Sequence, residues 1–562
     1  MIPGRRRRWM AFMIVLMAGA AACGGGGPKG DLTEAEAAEE LNHLLDNVHV
    51  TDDTVDRRAP VEIGAESDLA ESLPDINEFP LVVDPPSGGT VVEIFGSTEK
   101  SGEGTDGWLV AVANAFNNAD VRLADGTEAK VAVRYIPSGI GYQFIASQTY
   151  VPDAYTPSNH LWIEMAKASG AEMTPVRESL VSNVAGIVMK TEVAEALSET
   201  GEFDAGAVID EVAGGELVMG YTDPFASSTG LNFLVTVLDS FAGGDEARML
   251  DPDVVSTFER FQENVPFVAL TTLQMRESVE QDRSLDAFVM EYQTFVNTDE
   301  LQSGFEFTPF GFTHDNPLYA VGTPAPETAE ALELFGSFAE RPENRELAAG
   351  FGFDPPFDYE SVYELPSGET LIAAQQVWKE KKDAGRPVVG VFVADNSGSM
   401  NGEKIQALQA ALTAGAGFIT PDNSIGFVQF NDEVVRRLPI AEFDLNQRAA
   451  FVAAAEDLEA QGGTAMYDGI LVGLDMLLNA QATNPEIKPL LFVLTDGETE
   501  DGYTFEEVQP VIEGLGIPVY TIGFEADLDE LGRVASLVEA ASLNADTEDV
   551  EYEIGALFNA QF

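Results

Sequence analysis

Two nearly unbroken apolar runs in the last third of the chain constrain the fold most strongly. They read PVVGVFVAD, which ends at Asp395, and PLLFVLTD, which ends at Asp496. Runs of this kind suit central parallel strands that are buried on both faces of a sheet. Strand and helix patterns alternate around them, so residues 387–562 are predicted to form a doubly wound α/β domain. Ligands of such domains bind beyond the carboxyl ends of the strands, where both aspartates are expected.

Three separate segments bring oxygen-bearing side chains to that edge of the predicted sheet. They read VFVADNSGSM, QGGTAMYDG and LLFVLTDGE, and the candidate metal ligands within them are Asp395, Ser397, Ser399, Thr464 and Asp496. Hydroxyl and carboxylate oxygens without His or Cys favour Mg²⁺ or Ca²⁺ over Zn²⁺. With only two protein carboxylates, the site would leave charge on the ion and one coordination position free. The alternative is a serine-rich turn with ordinary capping roles.

These residues resemble the metal-ion-dependent adhesion site (MIDAS) of the von Willebrand factor type A (VWA) domain. The D-x-S-x-S element, the threonine and the final aspartate of that family all have counterparts here, and the resemblance covers about residues 386–562. It implies a Rossmann-like fold and a bound Mg²⁺ or Ca²⁺ ion. It also implies that a protein partner offers an Asp or Glu side chain to the free position on the metal.

The N-terminus has the layout of a secretory signal peptide. Arg5–Arg8 precede an apolar run, Trp9–Ala22, that is shorter than the roughly 20 residues needed to span a bilayer. Residues 1–22 are therefore predicted to be a signal peptide. The sole cysteine, Cys23, follows in a segment that resembles a bacterial lipobox, which implies lipidation and an extracytoplasmic membrane anchor. Plain secretion is the alternative, because Ala20 stands where leucine is commoner.

The charge balance of the chain restricts its partners. Its 95 acidic residues against 30 basic ones give a formal net charge of −65. Nucleic acid is excluded as an expected partner, because binding phosphates requires a basic surface. The acid excess suits either a saline habitat or a generically acidic secreted surface. It would repel an acidic partner at long range, so adhesion through a metal is expected to act at short range.

An acidic segment separates the signal peptide from the first apolar strand pattern. Residues 23–87 are predicted to be a tether that lifts the rest of the protein off the membrane. Within this segment, LTEAEAAEELNHLLDNV places Leu41, Leu44 and Leu45 at helical spacing. A helix docked on a folded domain is the competing interpretation.

Residues 88–353 show short apolar runs, each followed by a helical pattern, which predicts a largely parallel α/β sheet. TVVEIFGST leads into WLVAVANAF, and AKVAVRYIPSG leads into YQFIAS. Hydroxyl side chains stand where strands end or helices begin, and there they could bind a small molecule or an anion. The candidates are Ser97, Thr98, Ser138, Ser158, Ser227, Ser228 and Thr229. For each single hydroxyl, a helix N-cap is the alternative.

The order of these motifs resembles the type 2 periplasmic solute-binding proteins, whose two α/β lobes close on a ligand across a hinge. The segments that carry the resemblance are PSNHLW, DPFASSTG, MEYQTFVN and NPLYAVGTPAPETAEALELFGSFAERPENRELAAGFGF. It implies that Tyr292 and Gln293 also face the cleft. No decisive charged ligand holder is evident, so the cleft could be empty. Residues 354–386 contain ETLIAAQQVWKEKKDAG and are predicted to be a helical linker.

The sequence carries no strong catalytic signature. It has four histidines but no H-E-x-x-H, no G-x-S-x-G elbow, and neither a Walker loop nor a G-x-G-x-x-G after a strand. A binding protein is therefore favoured over an enzyme. Three functions stay open: a surface lipoprotein that binds a protein partner through a metal, a transport-linked solute receptor, and a structural envelope protein with an empty cleft.

Overall fold

The computed structural model is a mixed α/β protein built on three sheets. It describes residues 32–61, 76–84, 87–198, 204–214, 219–262, 267–269, 287–497, 501–524 and 542–545, with single residues or pairs at 73, 217, 265, 275, 499, 531, 533–534, 537, 554–555, 557–558 and 561–562. The predicted signal peptide and Cys23 lie outside the described residues. Among the described helices, none is long and apolar enough to cross a membrane.

The strands and helices follow one another in this order. The strands are β1 (Val50–Asp52), β2 (Leu81–Val83), β3 (Thr90–Gly96), β4 (Ala129–Tyr135), β5 (Ala154–Thr156), β6 (Met173–Arg177), β7 (Asn183–Lys190), β8 (Met219–Thr222), β9 (Phe267–Ala269), β10 (Ala287–Glu291), β11 (Phe305–His314), β12 (Leu318–Val321), β13 (Val388–Asp395), β14 (Ser424–Phe430), β15 (Val434–Glu442), β16 (Lys488–Thr495), β17 (Val519–Phe524) and β18 (Ser542–Ala545). The α-helices are α1 (Glu34–Leu45), α2 (Thr98–Ser101), α3 (Trp108–Asn118), α4 (Ser138–Ser147), α5 (Leu161–Ala168), α6 (Thr191–Ser198), α7 (Ala205–Gly214), α8 (Ser228–Ala242), α9 (Pro252–Phe261), α10 (Tyr292–Asn297), α11 (Pro326–Ala339), α12 (Pro342–Gly350), α13 (Gly368–Lys381), α14 (Glu403–Gly415), α15 (Leu445–Glu456), α16 (Met466–Thr483) and α17 (Phe505–Leu515).

Two sheets form two lobes in the first half of the protein. The first lobe has the strand order β2-β4-β3-β5-β12-β6, and the second has the order β11-β7-β10-β8-β9. The chain passes between the lobes twice, at residues 178–182 and 315–317. Both sheets are mixed rather than largely parallel: β12 runs antiparallel to β5 and β6, and β7 runs antiparallel to β10 and β11. Because the chain leaves the first lobe and later returns to it, its last strand enters that sheet in the opposite direction.

The third sheet forms the C-terminal domain and has the order β1-β15-β14-β13-β16-β17-β18. Strand β13 pairs in parallel with both β14 and β16, and all eight of its residues are buried. Phe392 of this strand stacks on Phe492 of β16 with ring centroids 5.0 Å apart. Helices cover both faces, as the apolar runs predict, which confirms the doubly wound α/β class.

The acidic N-terminal segment docks on the C-terminal domain instead of forming a free tether over residues 32–61. Helix α1 buries Ala37, Leu41 and Leu44, and it packs on α16 and α17. Strand β1 extends the sheet by pairing in parallel with β15, with Val50 opposite Val434. Burial of the apolar helix face and pairing of a sheet edge stabilise this arrangement. The docked-helix interpretation therefore describes this part of the chain.

Helix α13 of the predicted linker packs on the second lobe. Leu371 and Trp378 are fully buried, and Trp378 Nε1 donates a hydrogen bond to the Tyr221 hydroxyl at 2.6 Å. Just after the helix, Asp383 accepts a hydrogen bond from Lys488 Nζ of β16 at 2.9 Å. The linker thus connects the second lobe with the C-terminal domain through buried and ion-paired contacts.

Candidate metal centre and inter-lobe junction

Asp395 is the innermost of the five candidate metal ligands. It is the last residue of β13 and is fully buried. One carboxylate oxygen accepts a hydrogen bond from the Ser397 backbone N–H at 2.7 Å, and the other accepts one from Thr495 Oγ1 at 2.5 Å. Burial raises the pKa of Asp395 to about 6, although these hydrogen bonds lower it in part. A cation beside this carboxylate would favour its charged form and offset the cost of burial.

A chain of hydrogen bonds joins three further candidates. The hydroxyls of Ser397 and Ser399 lie 2.9 Å apart, and Ser399 Oγ donates to Asp496 Oδ1 at 3.0 Å. Ser397 sits at the N-cap of a short 3₁₀ helix, but its side chain makes no capping hydrogen bond. Ordinary capping therefore does not account for this serine. Asp395 and Ser397 are buried while Ser399 is exposed, so the cluster opens to solvent on one side.

Thr464 lies on an adjoining loop that is fastened to the other two. The Gly398 N–H donates to the Gly462 carbonyl at 3.1 Å, and the Asp501 N–H donates to the Thr464 carbonyl at 3.0 Å. Gly462 has a φ of 81°, a conformation that favours glycine and turns the loop toward the site. The structure therefore places the three predicted segments side by side.

Lys404 is a neighbour of the site that sequence reasoning missed. Its Nζ donates a hydrogen bond to Asp496 Oδ2 at 3.0 Å. The residue stands in the first turn of α14, after Gly402, whose φ is 98°. The signal in the sequence was a cation five positions after Ser399 in SGSMNGEK, in a chain that is poor in cations.

The donor set fits a hard divalent cation. It consists of two carboxylates and three hydroxyls, and oxygen ligands of this kind suit Mg²⁺ or Ca²⁺. Over the part of the chain that the structure describes, no cluster of three or more His, Cys, Asp or Glu side chains is arranged to hold a metal ion. A site in this protein would thus depend on hydroxyl ligands, as the serine and threonine pattern predicts.

A second buried polar cluster lies between the two lobes, and we call it the inter-lobe junction. It comprises Ser97, Glu99, Lys100, Ser138, Ser158, Asn159, Asn183, Thr229, Asn232, Glu291, His314 and Asn316. Lys100 is fully buried, donates to Asn316 Oδ1 at 2.9 Å and lies 3.7 Å from a Glu99 oxygen. The hydroxyls of Ser97 and Ser158 donate to the same Glu99 oxygen, each at 2.5 Å. Burial lowers the pKa of Lys100 to about 8.

Glu291 carries the second carboxylate of the inter-lobe junction, at the end of β10. Its oxygens accept hydrogen bonds from His314 Nδ1 at 3.0 Å, Thr229 Oγ1 at 3.2 Å and Asn183 Nδ2 at 2.5 Å. His314 Nε2 lies 3.0 Å from Asn232 Nδ2, whose amide is oriented by the Phe312 backbone. Because this amide nitrogen can only donate, the hydrogen-bond pattern assigns a neutral His314 with its proton on Nδ1. Burial raises the pKa of Glu291.

Comparison with known proteins assigns a family to each half of the protein. Residues 101–354 match the bacterial extracellular solute-binding protein family, and residues 391–552 match the von Willebrand factor type A domain family. The chain contains a solute-binding domain followed by a VWA domain. The predicted order of these two domains is thereby confirmed, and both families are binding families.

Curated relatives match the VWA domain. Inter-alpha-trypsin inhibitor heavy chain H1 of Mesocricetus auratus is 33% identical over 151 residues, which cover 25% of this chain and 16% of that protein. Heavy chain H3 of the same species is 35% identical over 163 residues, which cover 26% and 18%. The chain therefore spans less than a fifth of the length of these relatives.

Solved structures include likenesses to both domains. The sulfate-binding protein SubI from Mycobacterium tuberculosis H37Rv has 15% identity and a TM-score of 0.34, covering 52% of this chain and 91% of that one. A von Willebrand factor type A protein from Catenulispora acidiphila has 21% identity and a TM-score of 0.28, covering 31% and 42%.

The solute-binding domain brings only some of the predicted ligand residues to the inter-lobe junction. Those in the junction are Ser97, Ser138, Ser158 and Thr229. Ser227 caps α8 by accepting a hydrogen bond from the Gly230 N–H at 3.3 Å. Ser228 accepts one from Trp162 Nε1 of the first lobe at 2.9 Å. Thr98 is the half-buried first residue of α2.

The two residues predicted by analogy from the second lobe point in different directions. Gln293 Nε2 reaches Asp106 Oδ1 of the first lobe at 3.0 Å, so this side chain joins the two lobes. The Tyr292 ring instead packs edge-on against Phe307 and Phe357, with centroids 5.4 and 5.2 Å away. Its placement in the cleft is therefore wrong, because a better apolar contact exists on the other side of the backbone.

A buried carboxylate near α13 leads to a prediction about pH. Asp223 Oδ1 accepts a hydrogen bond from the Phe225 N–H at 2.7 Å, but Oδ2 has no hydrogen-bond partner among the described residues. Burial raises the pKa of Asp223 to about 7, and attraction to Lys382 and Lys379 offsets only part of this effect. Since the folded-state pKa exceeds the unfolded value of about 4, the stability associated with this group is present below pH 4 and is lost as the pH rises to 7.

We therefore expect Asp223→Asn to match the wild type near pH 4 and to exceed its free energy of unfolding by about 2 kcal/mol at pH 8. Urea unfolding at both pH values measures the difference. A variant that is less stable than the wild type at pH 8 would show that the Asp223 carboxylate has a stabilising partner.

Proposed function

We propose that this protein is a surface lipoprotein that binds a protein partner through a divalent cation in its VWA domain. The observation that supports this proposal most strongly is the hydrogen-bonded chain of Asp395, Ser397, Ser399 and Asp496, fastened to the Thr464 loop. It is buried at Asp395 and open to solvent at Ser399. An ion bound here would be held from below by the protein and reached from above by a partner.

Asp395, Ser397, Ser399, Thr464 and Asp496 would hold the ion, which is Mg²⁺ or Ca²⁺. When bound, the ion would supply positive charge and a free coordination position for a carboxylate of the partner. The protein's own contribution is to hold the hydroxyls together and to keep one side open. This role is binding, without a reaction.

The N-terminal segment supports a membrane-proximal position for the VWA domain. If Cys23 is lipidated, as its lipobox-like context suggests, only residues 24–31 separate the anchor from the segment that docks on this domain. A chain of that length reaches at most about 30 Å. The VWA domain would then lie close to the membrane surface rather than at the end of a long spacer.

A solute receptor is a second candidate function, favoured by the contacts between the lobes. Gln293 and Ser228 of the second lobe bond directly to Asp106 and Trp162 of the first, so the lobes meet as they do around a ligand. The inter-lobe junction contains Glu99 and Glu291 against one ammonium, and this charge disfavours an anionic solute. A solute that stabilises the chain in the presence of a chelator would support this function.

The adhesion function predicts metal-dependent capture of a partner. Wild-type chain immobilised on beads is expected to retain a surface protein from native envelope extract in Mg²⁺ and to release it on addition of EDTA. Ser399→Ala should weaken retention, because it removes one oxygen ligand while leaving the buried hydrogen bonds of Asp395 intact. A partner that stays bound in EDTA would contradict the proposal.

A further inference from the structure

Lys404 occupies a position that helix stability does not explain. It lies in the first turn of α14, where the positive end of the helix dipole disfavours cations and favours residues such as Glu403. Its ammonium extends to Asp496 Oδ2 at 3.0 Å instead of into solvent. The side chain is 23% exposed and that of Asp496 is 4% exposed, so solvent screens this ion pair only in part. The position therefore serves the site rather than the helix.

The ion pair engages an oxygen that a metal would also use. Asp496 Oδ1 accepts from Ser399 and Oδ2 accepts from Lys404, so both oxygens of this carboxylate are occupied. Among the ion pairs of the described residues, this one alone reaches a candidate metal ligand. With 30 basic residues against 95 acidic ones, a lysine at this place is not part of a general background of cations.

We propose that Lys404 tunes the metal site, acting as a tethered cation that competes with the divalent ion for Asp496. This inference rests on the proposed function, since it assumes that the site binds a divalent cation. A divalent ion in the site would be repelled by the ammonium and would have to displace it or share its carboxylate. Metal affinity is thereby lowered. The loaded site keeps one positive charge in excess of Asp395 and Asp496, which favours an acidic partner despite the chain's net charge of −65.

A purely structural role for Lys404 predicts the opposite effect. If the lysine only holds Asp496 in the correct rotamer, its removal would leave the carboxylate misplaced and would weaken metal binding. Competition predicts tighter binding after the ammonium is removed. The sign of the change in affinity therefore separates the two roles.

The test is a calorimetric titration of Mg²⁺ into the full chain after metal removal. Lys404→Met is expected to bind Mg²⁺ roughly tenfold more tightly than the wild type, with a difference that shrinks at high salt. Lys381→Met is the matched control: it changes the net charge equally, its side chain is 31% exposed, and it pairs with Glu259 in the linker region. This control should bind like the wild type. Lys404→Gln provides a second neutral variant should the methionine variant fail to fold.

The outcomes separate this inference from the proposed function. Equal or weaker Mg²⁺ binding by both neutral variants, beside a wild type that binds, would overturn the competition while leaving the metal site in place. Binding by Lys404→Met alone would support the competition and contradict Mg²⁺ loading of the wild type. Silence in all variants would overturn both.

Discussion

Lys100→Met is expected to lower the free energy of unfolding of the solute-binding domain by about 3–5 kcal/mol. The ammonium is fully buried and balances Glu99, whose side chain is only 7% exposed. Attraction to Lys100, together with hydrogen bonds from Ser158 and Ser97, overcomes the effect of burial and lowers the pKa of Glu99. Without the ammonium, Glu99 and Glu291 would remain as buried carboxylates without a balancing charge.

Tryptophan fluorescence during urea unfolding measures this effect in the relevant domain. Beyond the predicted signal peptide, every tryptophan lies in the solute-binding domain or its linker helix, namely Trp108, Trp162 and Trp378. Lys167→Met is the control, because Lys167 is 40% exposed and its pair with Glu164 should contribute less than 1 kcal/mol. The double change Glu99→Gln with Lys100→Met should recover part of the loss. A single variant as stable as the wild type would show that the ion pair does not stabilise the junction.

Asp395→Asn is expected to abolish Mg²⁺ binding while leaving the metal-free fold intact. Removing one of two carboxylates from the ligand set should weaken binding by roughly 100-fold or more, because ligand charge largely sets affinity for hard cations. The asparagine keeps one acceptor for the Ser397 N–H, and its amide can donate to Thr495 Oγ1. A buried neutral amide also costs less than a buried carboxylate, so the metal-free variant should be at least as stable.

Differential scanning calorimetry with and without Mg²⁺ separates these two effects. The wild type should gain about 2.7 kcal/mol at a Mg²⁺ concentration 100 times the dissociation constant. Asp395→Asn should gain nothing at the same concentration. Asp444→Asn is a control for general charge, because Asp444 caps the distant helix α15. Equal Mg²⁺ stabilisation of the wild type and Asp395→Asn would place the ion elsewhere.

The strands of the VWA domain could be predicted because burial on both faces leaves an unambiguous pattern. Val388–Asp395 has eight buried residues in a row, and the polar side chains that follow must lie at the strand's carboxyl end. The family resemblance then joined three distant loops. By contrast, Lys404 was missed because a single lysine in a helix reads as a solvated residue until the fold places it beside Asp496.

The inter-lobe junction was harder to predict, because its charged members look like background in an acidic chain. Glu99 and Glu291 are two of 95 acidic residues, and only the closure of the lobes buries them together with Lys100. The antiparallel entry of β12 likewise depends on two distant crossings of the chain, which local patterns do not encode. For the same reason, the docking of α1 could not be distinguished from a free tether by the spacing of its leucines.

The most direct test of the metal site is anomalous diffraction from crystals of the full chain soaked in Mn²⁺, which takes the same oxygen ligands as Mg²⁺. We expect one strong anomalous peak within coordination distance of Ser397 Oγ and Ser399 Oγ, between Asp395 and Asp496 and facing the Thr464 loop. The peak should be absent in Asp395→Asn crystals. A peak bound only by other acidic side chains, with none at these hydroxyls, would contradict a metal-dependent adhesion site in this protein.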